Sequence, residues 1–167
     1  MNVLFIGGTG IISSACSELA LGQGVDLTLL TRGQSSRSHP ERAQVIRADI
    51  TDGTAVAAAL RGKRFDAVVN WVAFTPDDIK RDIALFRGRT NQYIFISSAS
   101  AYQTPPLSLP VLESTPLRNP FWAYSRAKIA CEEALMTAYR AEGFPATIVR
   151  PSHTYDRRLL PFFGGYT

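Results

Sequence analysis

The sequence predicts an α/β fold built on a doubly wound parallel sheet, and three observations carry the prediction. Short runs rich in Val, Ile, Leu and Phe alternate with helical stretches, as in chains of βαβ units. Most of those runs are apolar throughout, as strands covered on both faces are. A glycine-rich turn follows the first run directly. Six strands are expected: Val3–Ile6, Asp26–Leu30, Gln44–Arg47, Ala67–Asn70, Tyr93–Ser97 and Ala146–Arg150. Their expected order is 3-2-1-4-5-6, with helices on both faces.

The connections follow from local chemistry. The first helix is expected over Ile11–Leu21, with Gly22 as its C-terminal breaker. A second is expected over Thr54–Leu60, ended by Gly62, with Thr51 or Asp52 placed to cap it. The third, Pro76–Phe86, opens Pro-Asp-Asp, which fixes the first φ and puts carboxylates where the helix dipole favours them. In the last, Phe121–Arg140, Tyr124, Lys128, Cys131 and Leu135 recur at spacings of four, three and four and so share one face. Between Gln103 and Pro120 stand five prolines, Pro105, Pro106, Pro110, Pro116 and Pro120, which exclude regular helix and central strand. That segment is expected to be a long ordered loop joining two candidate catalytic segments.

The totals narrow the class. The 167 residues are 46% apolar and 19% charged, the profile of one soluble domain with enough length to bury a core. No apolar run reaches the ~18–20 residues that a membrane-spanning helix needs. The chain passes from Met1 straight into a strand without a basic leader, so a cytoplasmic protein is expected. Cys16 and Cys131 both fall in expected helices and read as reduced thiols. His39 and His153 lie far apart with no further ligand at metal spacing, so no metal site is expected. The net charge of +4 is scattered over arginines instead of gathered in one tract, which suits an anionic small ligand better than nucleic acid.

The glycine turn names the ligand class. Gly7-Gly8-Thr9-Gly10-Ile11-Ile12-Ser13 fits G-x-G-x-x-G from Gly8, with Ser13 in the last position. A strand that bends this sharply into a helix needs residues without a β-carbon, so that main-chain amides can approach a pyrophosphate at the positive helix end. NAD or NADP is the expected cofactor. The second strand ends Leu30-Thr31-Arg32, where NAD-specific chains place an acidic residue. Arg32, assisted by Arg37, can pair with a 2′-phosphate, so NADP(H) is favoured. Asp49, in Ala48-Asp49-Ile50 after the third strand, is the expected adenine contact.

With these residues in place, the chain resembles the short-chain dehydrogenase/reductase superfamily, in particular its extended branch of NAD(P)-dependent epimerases and dehydratases. The likeness rests on the glycine turn, Asp49, Asn70-Trp71-Val72-Ala73, Ser97-Ser98-Ala99-Ser100-Ala101-Tyr102, Tyr124-x-x-x-Lys128 and Arg150-Pro151-Ser152-His153-Thr154-Tyr155. It implies a cofactor site made by Gly7, Gly8, Thr9, Gly10, Ile11, Ile12, Arg32, Arg37, Asp49, Ile50, Val72, Ala73, Lys128 and Pro151. It implies catalytic roles for Ser98, Tyr124 and Lys128. One helical turn apart, the Lys128 ammonium is expected to lower the Tyr124 phenol toward working pH, while Ser98 hydrogen-bonds the substrate oxygen. The implied reaction moves hydride between nicotinamide and a carbinol or carbonyl carbon, with a sugar nucleotide among the candidate substrates and a homodimer as the expected assembly.

Several departures matter. Sugar-nucleotide dehydratases carry Asp-Glu where Ala99-Ser100 stands, which argues against dehydration by the usual route. Gln103 replaces the usual Gly after Tyr102. Only sixteen residues follow Pro151, so the chain is expected to be residues 1–167 of a longer protein whose smaller substrate domain is missing; the apolar tail Leu159–Gly165 fits a covered segment. Phe121 and Trp122 read as aromatic packing at a helix entrance more readily than as a substrate wall. Two rival readings keep the fold without turnover, a cofactor-sensing regulator and an RNA-binding member of the superfamily.

Overall fold

The computed structural model describes residues 1–35 and 38–155. Arg37 and the 159–165 tail lie outside those residues. Six parallel strands form one sheet: β1 (Asn2–Ile6), β2 (Asp26–Thr31), β3 (Gln44–Arg47), β4 (Phe65–Asn70), β5 (Thr90–Ile96) and β6 (Ala146–Val149). The order is β3-β2-β1-β4-β5-β6, so the chain reverses direction of winding between β1 and β4 and opens a crevice at the strands' C-terminal ends.

Alternation along the central strands feeds two cores. Leu4 and Ile6 of β1 point into a large cluster with Val68, Ile79, Phe86, Tyr93, Phe95 and Leu135. Val3 and Phe5 point to the other face with Leu21, Leu27, Leu29 and Val69. Helices α2 (Gly53–Ala59), α3 (Pro76–Phe86) and α4 (Ala123–Glu142) cover the first face, and α1 (Ile11–Gly22) covers the second. The edge strands β3 and β6 are only partly buried, because fewer elements cover them.

The helix ends follow their caps. Asp52 Oδ1 accepts from Ala55 N at 2.9 Å, starting α2 one residue before the expected Thr54. At α3, Thr75 Oγ1 accepts from Asp78 N while Asp78 Oδ2 accepts from Thr75 N, a reciprocal cap ahead of Pro76. Helix α4 begins two residues later than the expected Phe121, because Asn119 Oδ1 takes the Phe121 and Trp122 amides at 3.0 and 3.1 Å. It ends at Gly143, whose φ of +67° closes the last turn. The Tyr124, Lys128, Cys131 and Leu135 stripe does share one face, with the last three buried. The proline-rich loop is closed at its base: Tyr102 bridges Leu117, Gln103 N donates to Pro116 O, and Thr104 N donates to Arg118 O. Its two ends thereby bring the segments carrying Ser98 and Tyr124 together. Among the described residues, no helix is long and apolar enough to cross a membrane.

Candidate active site

The glycine turn is sterically committed. Gly8 sits at φ +124°, and a β-carbon there would lie 2.8 Å from Leu29 Cδ2. Gly7, at φ +97°, would press a β-carbon to 3.2 Å from Val72 Cγ1. Both residues must therefore be glycine for β1 to bend into α1 this close to β2 and to the turn after β4. Ser13, in place of the motif's last glycine, is buried and accepts from Gly10 N at 2.8 Å, so its hydroxyl caps the turn. The first-turn amides of α1 have no intrahelical acceptors, and no acidic side chain occupies that turn.

Two adjoining cavities open along the crevice. One, of about 500 Å³, lies over β2 and β3 and is lined by Arg32, Asp49 and Ile50 together with Thr31, Gln34 and Ser35. The other, of about 610 Å³, holds Gly7 to Ser13 along with Ser98, Tyr124, Lys128 and Pro151. Gly7, Thr9, Val72 and Phe74 line both. In the first, Asp49 accepts from Thr51 N and Thr51 Oγ1 at 2.9 and 2.8 Å, which hold its carboxyl below the usual range. Arg32 Nη1 stands 3.9 Å from Asp49 Oδ2, and both side chains remain largely open to solvent.

In the second cavity the lysine does not act as the sequence predicts. Lys128 is 2% exposed, and its Nζ donates to Ala73 O and Ile96 O at 2.7 and 2.8 Å. The ammonium lies over the rings of Phe74, Phe95 and Tyr124, at 4.6, 4.7 and 5.6 Å from their centroids. Burial brings Lys128 down to about 8. The Tyr124 phenol is raised by burial, and what offsets part of the rise is a hydrogen bond with Ser98, not the Lys128 charge. The net direction for Tyr124 is thus upward, opposite to the expected lowering, with the Lys128 ammonium anchored to two carbonyls beneath the ring.

Residues 3–158 match the NAD dependent epimerase/dehydratase family. The chain belongs to that family. It is 28% identical over 169 aligned positions to a UDP-glucose 4-epimerase from Lactobacillus helveticus, an alignment covering 90% of this chain and 51% of the relative. Its fold matches that of the UDP-Glc/GlcNAc 4-epimerase from Campylobacter jejuni with a TM-score of 0.77 at 25% identity, over 89% of this chain and 52% of the other. A UDP-glucose 4-epimerase from Brucella ovis, solved in complex with NAD, shares the fold with a TM-score of 0.77 at 24% identity, over 89% and 51% of the two chains. The chain thus spans about half the length of the relatives it matches.

Within this family frame, most of the residues predicted from sequence gather at the crevice. Ala73 is the exception: its side chain is 1% exposed in the core, and only its carbonyl serves the site, as an acceptor for Lys128. Trp122 lines the second cavity and packs on Tyr124 with ring centroids 4.8 Å apart. Phe121, 74% exposed, is not packed at the helix entrance as expected.

Two buried polar clusters were not anticipated. Asn70 Oδ1 accepts from Val72 N at 2.7 Å and its amide donates to Asp82, which also accepts from Tyr93 Oη at 2.5 Å and Arg81 Nη2 at 3.2 Å. Burial raises the Asp82 carboxyl. This cluster sets the turn after β4, in which Val72 lines both cavities. In the second cluster, Glu132, 2% exposed, accepts from Arg150 Nε at 3.0 Å, from Arg150 Nη2 at 2.6 Å and from Ser97 Oγ. Arg150 Nη1 donates to Tyr102 Oη at 2.9 Å. The pairing ties the end of β6, and hence Pro151, to the strand end that precedes Ser98.

Proposed function

We propose that this chain binds a nicotinamide dinucleotide and supplies the acid–base machinery of an NAD(P)-dependent epimerase or related oxidoreductase acting on a carbinol carbon, with a sugar nucleotide as the substrate class. The observation that carries the reading is the convergence of Ser98, Tyr124 and Lys128 on the same cavity as the glycine turn. The residues fit the cofactor: two glycines leave no room for β-carbons, the amides opening α1 are uncommitted, and adjoining cavities of suitable size run to either side. Gly8 to Ile12 would hold the pyrophosphate, and Arg32, Asp49 and Ile50 the adenosine end. When bound, the cofactor supplies a hydride acceptor and donor.

The chain's own residues move the proton. Tyr124 takes it from the substrate hydroxyl or returns it, and Ser98 stabilises the oxygen on which charge develops. Lys128 keeps a positive charge under the phenol's ring without sharing its proton. The relatives named UDP-glucose 4-epimerase support the substrate class, and Ala99-Ser100 in place of Asp-Glu supports epimerisation or simple oxidoreduction over dehydration.

Between cofactors, we favour NADP(H), because Arg32 is the charged side chain at the ribose end of β2 and its contact with Asp49 is long and solvent-exposed, so a 2′-phosphate can displace it. Parallel fluorescence titrations with NADPH and NADH test this. Tighter NADPH binding, lost in Arg32→Ala, is expected; a preference for NADH overturns the NADP assignment, and no binding of either overturns the functional reading.

A further inference from the structure

Behind Ser98 runs a line of hydroxyls that the reaction as described does not use. Ser125, 0% exposed on the first turn of α4, donates from its Oγ to Ser100 Oγ at 2.8 Å. Ser100 Oγ lies 2.8 Å from Ser98 Oγ, and Ser100 N donates to Ser98 Oγ at 3.2 Å. Ser98 in turn lines the same cavity as Tyr124, whose phenol it partly holds down. The loop and helix are stapled a second time where Asn119 Nδ2 donates to Ser100 O at 2.9 Å.

A hydroxyl carries one proton and two lone pairs, and that count fixes the direction of the line. Because Ser125 donates to Ser100, the Ser100 proton has Ser98 Oγ as its neighbouring acceptor. Ser98 Oγ then accepts twice, from the Ser100 amide and the Ser100 hydroxyl, so both lone pairs are filled. Its one proton is left to point outward, at Tyr124 or at a substrate oxygen. The reverse orientation, with Ser98 donating to Ser100, fills both Ser100 lone pairs, turns the Ser100 proton away from the line and leaves Ser98 no proton for the cavity. Ser125 is fully buried, so the inner end of the line does not open to solvent and Ser125 can relay no proton from bulk. Its hydroxyl serves to orient Ser100.

We infer that Ser125 and Ser100 are positioning residues that lock Ser98 as a committed hydrogen-bond donor, so that Ser98 stabilises an oxyanion while Tyr124 exchanges the substrate proton directly. The inference rests on the reading of Tyr124 as the acid–base group, and it assigns a task to Ser125, which touches neither cofactor site nor substrate oxygen. It also explains why Ser100 is a hydroxyl residue at the second position after Ser98.

The test is the ionisation of Tyr124, followed by ultraviolet difference titration of the whole chain without cofactor, with Tyr124→Phe as the blank. Ser125→Ala and Ser100→Ala are each expected to raise the Tyr124 pKa by about one unit, a tenfold loss of phenolate at fixed pH, the amount carried by one hydrogen bond to a charged group. Ser100→Thr, which keeps the hydroxyl, is expected to titrate like the parent. The double alanine variant is expected to shift no further than either single one, because both break the same line. If Ser125→Ala does not fold, Ser125→Cys keeps the shape, weakens the donor and reads the same shift. An unmoved Tyr124 in a folded Ser125 variant, or shifts that add, overturns the inference. NADPH titration of the same variants separates the two failures: loss of binding in the parent chain refutes the cofactor reading, whereas intact binding with an unmoved Tyr124 refutes only the locked donor.

Discussion

Replacing Gly8 by alanine tests the turn on which the cofactor site depends, and its cost can be worked from two contacts. At φ +124° an L-residue holds a conformation that costs about 1–3 kcal/mol. The new β-carbon would also stand 2.8 Å from Leu29 Cδ2, and Leu29 is 0% exposed, so it cannot swing into solvent to make room. Overpacking of that kind adds about 1–3 kcal/mol. The sum, about 2–5 kcal/mol, is a large share of the ~5–15 kcal/mol that holds a domain of this size. Urea denaturation should show the midpoint falling with an unchanged slope. NADPH titration of the still-folded variant should show at least a ~10-fold loss of affinity, about 1.4 kcal/mol, because relief of the clash moves the α1 amides. A stability loss under about 0.5 kcal/mol, the range of ordinary surface changes, refutes the steric argument. A full stability loss with unchanged NADPH affinity refutes the placement of the pyrophosphate.

Other outcomes follow from the buried groups. Tyr124→Phe should leave NADPH affinity within about twofold while turnover falls ~10²–10⁴-fold, the range for loss of a general acid–base, in a coupled assay on the whole protein; retained turnover refutes the role of the phenol. Lys128 titrates near 8 when folded against 10.5 when unfolded, so between those values the unfolded chain binds more protons and stability rises with pH, by up to about 3 kcal/mol. Denaturation midpoints at neutral and alkaline pH should show this rise in the parent but not in Lys128→Met, and a parallel pH dependence in both refutes it. Glu132→Ala strips the carboxylate from Arg150 and Ser97 and should cost about 3–5 kcal/mol by chemical denaturation; a loss under about 1 kcal/mol would put the pair in the class of surface ion pairs. Asn70→Leu leaves the Val72 amide and Asp82 short of partners and should cost about 2–3 kcal/mol, with weaker NADPH binding because the turn shared by both cavities loosens. Unchanged binding would separate that cluster from the site.

The legible part of the fold was the part written in local chemistry. Strand runs, the Pro76 helix start and the Asp52 cap depend on neighbours in sequence, and the sheet order followed from the βαβ alternation and the glycine turn. The start of α4 was misplaced because the acceptor that holds Phe121 and Trp122 out of the helix is one side chain, Asn119, whose contact leaves no periodic trace. Among site residues, Tyr124 and Lys128 were readable as a pair on one helix face, but the lysine's partners were not. They are carbonyls 55 and 32 residues away, brought close only by the packing of α4 on β4 and β5. Glu132 escaped for a related reason: a glutamate inside a helix reads as solvent-facing unless the arginine that neutralises it is known, and Arg150 arrives from the next strand. Ala73 was assigned to the pocket from its place in a motif, and its methyl instead fills the core.

Val72 and Phe74 form a party wall between the cavity over β2 and β3 and the cavity that holds the glycine turn and Tyr124. Any change in their bulk is felt on both sides at once, so no substitution there reshapes one cavity alone. Arg32 lines only the first cavity and Trp122 only the second, so substitutions at those two positions reshape one cavity and leave the other as it is.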